Sequence, residues 1–239
     1  MLAAAVDPRH LSPAAIDEVR AQFDLHANRH AVIDDFLLPA HLAPLRELVS
    51  GPDGFTENLK VSPHGTSVAH LPETARRARV DRALFDSVPE ADRFIAQEIY
   101  GGAAEGSSDS RPQRTDAVLR KVLRSSPMHA LLGAMSGLAL EETLAINLKR
   151  HGKGHYLRRH SDATGGRRLC GVLYLHEHWR REYGGRFLLH RDTGAPFAID
   201  PLPNRLVLFD VTVRNDHEIE DLGSVPKGWW RANYSVWFR

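Results

Sequence analysis

The sequence predicts an α+β fold, mainly β, with helices in the first part of the chain and a compact β core in the second. Three observations predict it. Through residues 1–138 apolar side chains recur mostly at helical spacings of three and four. From Glu142 to Arg239 the pattern changes to short runs rich in Val, Leu, Phe and Tyr, broken by Gly, Pro, Asp and Asn, as in an all-β sandwich or barrel. No internal repeat or second linker divides the 239 residues, a length that suits one sizeable domain. We therefore expect a single domain over residues 1–239, with 1–138 as helical support, entry strand and lid loops, and 139–239 as the β core.

Taken in order, Ser12 followed by Pro13 is a cap and a first-turn proline. Ile16, Val19 and Phe23 continue that helix as one stripe. The run "HAVIDDFLL", His30 to Leu38, reads as a strand, and "PAHLAPLRELV" after it as a helix with Leu42, Leu45 and Val49 on one face. Gly51 to Thr66 is rich in Gly, Pro, Ser and Asn and is expected to be loop, a candidate lid. "EADRFIAQEIYG" is expected to be helical. Gly101 to Gln113 is the low-complexity stretch and the second candidate loop. Short helices are expected at Thr115 to Arg124 and Met128 to Met135, before the strand runs begin.

Composition narrows the function classes. With 31 basic against 30 acidic residues there is no global field to favour nucleic acid or an anionic membrane. Cys170 is the single cysteine, which rules out an internal disulfide and a thiolate metal cage. Within "GRRLCGVLYL" it reads as a small buried apolar residue. The beginning of the chain shows no basic segment followed by a long apolar one, and no window approaches the roughly eighteen apolar residues of a membrane span. The expectation is a cytoplasmic protein with no membrane and no nucleic-acid partner; oligomeric state is not legible.

Fourteen histidines are many, and imidazole is the commonest metal ligand. In "HYLRRHSD", His160 and Asp162 stand two apart and would share a strand face. A third ligand would have to return from a distant strand, and His217 in "RNDHEIE" does so directly after the apolar run "RLVLFDV". Two histidines and one carboxylate on one face of a metal leave the remaining positions open, the arrangement of non-haem Fe(II) oxygen chemistry. An HxD pair alone is a common pattern, and by itself it is better explained as a solvated polar strand. The order decides: HxD, the pair Gly184 and Gly185, "PLPNRLVLFD", a lone histidine, then Arg231 in a final apolar strand. His176 and His178 also stand two apart but read as surface residues, His151 and His155 as flanks of a hairpin turn, and His190 as isolated.

These pieces resemble the 2-oxoglutarate- and Fe(II)-dependent oxygenases of the prolyl 4-hydroxylase type, with the hypoxia-sensing prolyl hydroxylases and their bacterial relatives looking closest. The matching segments are "HYLRRHSD", "RRLCGVLYLHEHW", "YGGRFLL", "IDPLPNRLVLFDVTVRNDHEI" and "RANYSVWF", with "HAVIDDFLLPAHLAPLREL" similar to the family's entry strand and helix. The resemblance implies a double-stranded β-helix of jelly-roll or cupin-like form with the metal at one open end. It implies His160, Asp162 and His217 as iron ligands and catalytic centre, Arg231 as the base that grips the distal carboxylate of 2-oxoglutarate, and Tyr174, Trp237 and Ser235 beside that cosubstrate. Fe(II), 2-oxoglutarate and O₂ are the implied cofactors, with ascorbate as a reductant.

Two departures from the family pattern bear on the substrate. His217 and Arg231 are fourteen residues apart, where the family usually has about ten. Arg150 stands ten residues before His160, where close relatives carry tyrosine; it is a candidate substrate contact, as are Trp229 and Trp230. Arg158, Arg159, Arg167 and Arg168 read as a solvated basic face. The implied activity is hydroxylation of an unactivated C–H bond of a prolyl residue, with succinate and CO₂ released. The alternatives are a tailoring hydroxylase of a free amino acid or small natural product, and a non-catalytic metal-binding β-barrel.

Overall fold

In the computed structural model, residues 2–62, 79–102 and 110–239 are described. Helix α1 (Pro13–Leu25) begins where Ser12 Oγ accepts the Ala15 N–H at 3.3 Å, and Pro13 needs no partner for a missing N–H. Strand β1 (His30–Ile33) is shorter than the expected His30 to Leu38, because the chain turns at Asp35, whose φ is +53°. Helix α2 (Pro39–Ser50) follows as expected.

The next segment differs from expectation. Strand β2 (Phe55–Val61) occupies the middle of the stretch expected to be loop, while positions 63–66 of that stretch lie outside the described residues. After β3 (Arg79–Val80) and α3 (Arg82–Ser87), the segment expected to be helical is strand β4 (Arg93–Tyr100), preceded by one 3-10 turn at Glu90–Asp92. β4 pairs antiparallel with β2 along almost its whole length, and also with two later strands. That pairing and the aromatic and β-branched residues at Phe94, Ile95, Ile99 and Tyr100 outweigh the helical preference of Ala96, Gln97 and Glu98. Helix α4 (Arg111–Leu123) starts four residues before the expected Thr115, at a capping box formed by Ser110 and Gln113. Positions 103–109 of the second expected loop lie outside the described residues. Helix α5 (Ser126–Ser136) ends at Gly137 in the left-handed region.

The strand-rich part runs β5 (Thr143–His151), β6 (Tyr156–His160), β7 (Leu169–Tyr174), β8 (Phe187–Leu189), β9 (Phe197–Ile199), β10 (Leu206–Asp210), β11 (His217–Ile219) and β12 (Arg231–Phe238). The order in the sheet is β1-β10-β7-β12-β5-β4-β6-β11-β8-β9, and all the described pairings are antiparallel. The sheet curls back on itself: Phe187 on β8 and Phe209 on β10, near opposite ends of that order, have ring centroids 5.3 Å apart.

Parity along the strands says which side chains enter the curl. All eight residues of β12 are buried, so both faces of the strand are covered. Ala232, Tyr234, Val236 and Phe238 join the cluster built with Phe23 of α1 and Leu45 of α2. Arg231, Asn233, Ser235 and Trp237 point to the other side. On β7, Leu169 and Leu173 face the helices, while Cys170, Val172 and Tyr174 face inward. The same rule puts Ile146 and Leu148 of β5 with the helices and Lys149 and His151 inside the curl. No helix among the described residues is long and apolar enough to cross a membrane.

Candidate active site

His160 closes β6 and His217 opens β11, directly opposite each other in the antiparallel register. Asp162 lies two residues past the end of β6, in irregular chain rather than on the strand face that the spacing suggested. The three still converge: ligand atoms of His160, Asp162 and His217 all lie within 4.8 Å of one another. His160 Nε2 is 3.8 Å from Asp162 Oδ1, and His217 Nε2 is 3.6 Å from Asp162 Oδ2. Each imidazole donates from Nδ1 to a backbone carbonyl at 2.9 Å, His160 to Arg158 and His217 to Asn215. That choice of tautomer leaves both Nε2 lone pairs aimed at the gap between the three groups.

Burial depresses the pKa of both histidines, that of His160 to about 4 with the neighbouring His217 adding to the shift. They are therefore neutral ligands across the ordinary pH range. Burial pushes the Asp162 carboxyl up, but His217, His160 and the Trp237 N–H outweigh it and hold the carboxyl below its usual value. Trp237 Nε1 donates to Asp162 Oδ2 at 2.7 Å and Arg167 Nη1 to Oδ1 at 3.0 Å. The Arg167 guanidinium lies 4.7 Å from the centre of the Trp237 ring, so Asp162 is steered from two sides.

The triad opens into a cleft with about 390 Å³ of empty space, open solvent at its mouth included. Arg231 is fully buried within it. Its Nε donates to Gly185 O at 2.6 Å, Nη1 to Asn233 Oδ1 at 3.0 Å and Nη2 to the Tyr174 hydroxyl at 3.1 Å. Burial pulls the pKa of this guanidinium down and that of the Tyr174 phenol up. Ser235 accepts from Asn233 Nδ2 at 3.0 Å and lines the same wall.

Two buried cations, Arg231 and Lys149, face this cleft against one carboxylate, Asp162. Neither cation has an ion-pair partner among the described residues. A buried unpaired charge is costly, so the cleft is built for an anionic guest. His151, also on its wall, is fully buried, and neither ring nitrogen has a side-chain partner among the described residues. Burial holds that imidazole neutral, its pKa well below the usual value. Two imidazoles and a carboxylate fit a divalent iron, and the arginine–tyrosine pair with an excess of cations fits a dicarboxylate.

Not every residue singled out from the sequence reaches this cleft. Arg150 has the parity of Leu148 and lies on the helix side, clasped between the rings of Phe55 and Trp230 at 4.0 and 4.1 Å. It donates to Glu98 at 2.6 Å and to the carbonyls of Val49 and Gly51. Trp230 is spent on that contact, and Trp229 packs on Tyr183 at 4.8 Å while donating to His178 O. Neither tryptophan lines the metal cleft. His176 is buried rather than on the surface, and His151 ends β5 rather than sitting in the turn. Arg167, read from the sequence as part of a solvated face, instead holds Asp162, and Lys149 and His151 are cleft residues that spacing alone missed. Their signal was the alternation of β5, hidden because the Gly152 to Gly154 turn and the irregular register of β6 break the count back from His160.

Residues 146–239 match the model of the 2OG-Fe(II) oxygenase superfamily. The mouse protein named prolyl 3-hydroxylase OGFOD1 is 30% identical over 148 residues, covering 59% of this chain and 26% of that protein. The chain thus spans about a quarter of the length of that relative. Among solved structures, a prolyl hydroxylase from Trichoplax adhaerens in complex with a hypoxia-inducible-factor peptide fragment matches with a TM-score of 0.61 at 17% identity, covering 95% of this chain and 93% of that one. A Pseudomonas putida prolyl-4-hydroxylase matches with a TM-score of 0.55 at 18% identity, over 94% and 98%. At that identity the two structures establish the fold: a curled antiparallel double-stranded β-helix carrying helices on its outer face.

Proposed function

We propose that this chain, which carries a 2OG-Fe(II) oxygenase domain over residues 146–239, hydroxylates prolyl residues of a peptide or protein in a reaction dependent on iron, 2-oxoglutarate and O₂. One observation carries the reading. A buried triad with both Nε2 atoms turned to one gap stands in the same cleft as a buried arginine that has no carboxylate partner among the described residues.

In this reading His160, Asp162 and His217 hold Fe(II), and Arg231 with the Tyr174 hydroxyl holds the distal carboxylate of 2-oxoglutarate. Together the bound iron and cosubstrate supply conversion of C–H to C–OH, with O₂ consumed and succinate and CO₂ released. The chain's own part is positioning and exclusion of water. Trp237 and Arg167 fix the Asp162 oxygens, the backbone carbonyls of Arg158 and Asn215 fix the two imidazoles, and Phe187 and Phe209 keep the wall beside His217 apolar, with ring centroids 5.2 and 4.8 Å from it. The prolyl class rests on the names of the relatives, OGFOD1 and the two prolyl hydroxylases. We take residues 1–239 as one domain, since helices and strands contribute to one buried cluster.

The test is to incubate the chain with Fe(II), 2-oxoglutarate, air and a panel of prolyl peptides and free amino acids. Succinate should form in step with one added oxygen on a prolyl peptide. Oxygen added only to free amino acids would move the substrate to that class. No succinate with any member of the panel would leave a binding module without turnover.

A further inference from the structure

β5 brings a lysine into the cleft that no carboxylate among the described residues pairs, and burial pulls its pKa down from the ordinary value. Lys149 is 8% exposed and makes no hydrogen bond or ion pair among the described residues. Asp162 is the nearby carboxylate, but it makes no ion pair with Lys149, and its oxygens accept from Trp237 and Arg167. The Lys149 ammonium instead lies 5.1 Å from the centre of the Trp237 ring.

The register of β5 on β12 fixes where this cation stands. His151 pairs with Arg231 and Lys149 with Asn233, so the inward row runs from Arg231 past Asn233 and Ser235 to Trp237. One inward step along a strand is about 6.6 Å. Lys149 therefore sits one step from the Arg231 end, with its ammonium reaching toward Trp237, whose Nε1 holds Asp162 of the triad. A dianion laid between Arg231 and the triad passes Lys149 at its metal end.

We propose that Lys149 holds the carboxylate of 2-oxoglutarate that adjoins the ketone, while Arg231 holds the distal one, so that a buried cation grips each end. The assignment rests on the oxygenase reading given above. It gives the otherwise unpaired charge a partner, and it makes the cleft selective for 2-oxo acids even where the distal carboxylate is missing. His151 stands on the same wall beside Arg231, a buried imidazole held neutral by its burial.

The experiment is calorimetric titration of the full chain loaded with Ni(II), which holds the ligand without turnover. Two ligands are compared, 2-oxoglutarate and 2-oxopentanoate, which keeps the ketone and its carboxylate but ends in a methyl group. Lys149→Met should weaken both by about ten- to a hundredfold, the usual effect of losing a charge-assisted contact, and Lys149→Arg should restore much of the loss. Without ligand, Lys149→Met should melt no lower than the natural chain, because an unpaired buried charge has been replaced by an apolar side chain of similar length. If Lys149→Met fails to fold, Lys149→Gln carries the same comparison. Unchanged affinity for 2-oxopentanoate in the folded variant overturns the assignment, whether or not 2-oxoglutarate weakens. Failure of the natural chain to bind 2-oxoglutarate at all overturns the oxygenase reading itself and the lysine's role with it.

Discussion

The triad imidazoles are aimed before any metal arrives, because each Nδ1 proton is committed to a carbonyl two residues away in its own chain. Asp162 is the residue on which the rest turns, since it touches Trp237 and Arg167 and stands within 4 Å of both imidazole Nε2 atoms. Asp162→Ala should lower Fe(II) affinity by at least about a hundredfold, the upper end of what loss of a supporting contact alone costs. Metal retained after dialysis measures this, and retention equal to the natural chain would sink the triad. His160, Asp162 and His217 were legible because two residues share a short motif and the third follows a conspicuous apolar run. Arg231 was legible from its place in the last strand. Lys149 was not, since a count of ten back from His160 lands on Arg150, and the neighbour in the count faces the opposite side of the sheet.

At the next scale up, the turn entering β8 is what shapes the arginine end of the cleft. Gly184 and Gly185 both have positive φ, +67° and +74°. The Gly185 carbonyl accepts from Arg231, and a Cβ added at Gly185 would lie 2.9 Å from Arg231 Cδ. Gly185→Ala should therefore cost about 1–2 kcal/mol in backbone strain and also displace the guanidinium, weakening 2-oxoglutarate binding roughly tenfold or more. Titration beside a melting curve separates the two effects; a lower melting temperature with unchanged affinity would show that the glycine serves the turn alone. Elements of this kind were only partly readable. α1, α2 and α5 carried caps, prolines and apolar stripes within themselves, and their local signals sufficed. β4 did not, because "RFIAQEIY" has residues of both preferences and its pairing with β2, β5 and β6 decides the matter. β2 was hidden for the same reason, lying in a stretch whose Gly, Pro and Asn content reads as loop while its partner is more than thirty residues away.

Over the whole molecule, one buried cluster runs from Phe23 and Leu45 of the helices to Leu173, Leu208 and Phe238 of the strands, so a disturbance in the β core is felt by the helices that cover it. Acid is such a disturbance. His176 is 3% exposed, with its ring edge-on to Tyr174 and Trp229. Burial, aided by the charge of Arg231, lowers its pKa to about 3 from an ordinary 6.5. Between those values the unfolded chain binds a proton that the folded chain does not. Stability therefore falls as pH drops from about 6.5 toward 3, by about 1.4 kcal/mol per pH unit for this one group, and is unaffected by it above 6.5. His30, lowered to about 4 chiefly by burial, acts in the same direction between about 6.5 and 4. His176→Gln should accordingly show a shallower loss of stability between about pH 6.5 and pH 5 than the natural chain, read from urea midpoints at each pH. An unchanged slope would mean that this ring is not the proton's destination on unfolding.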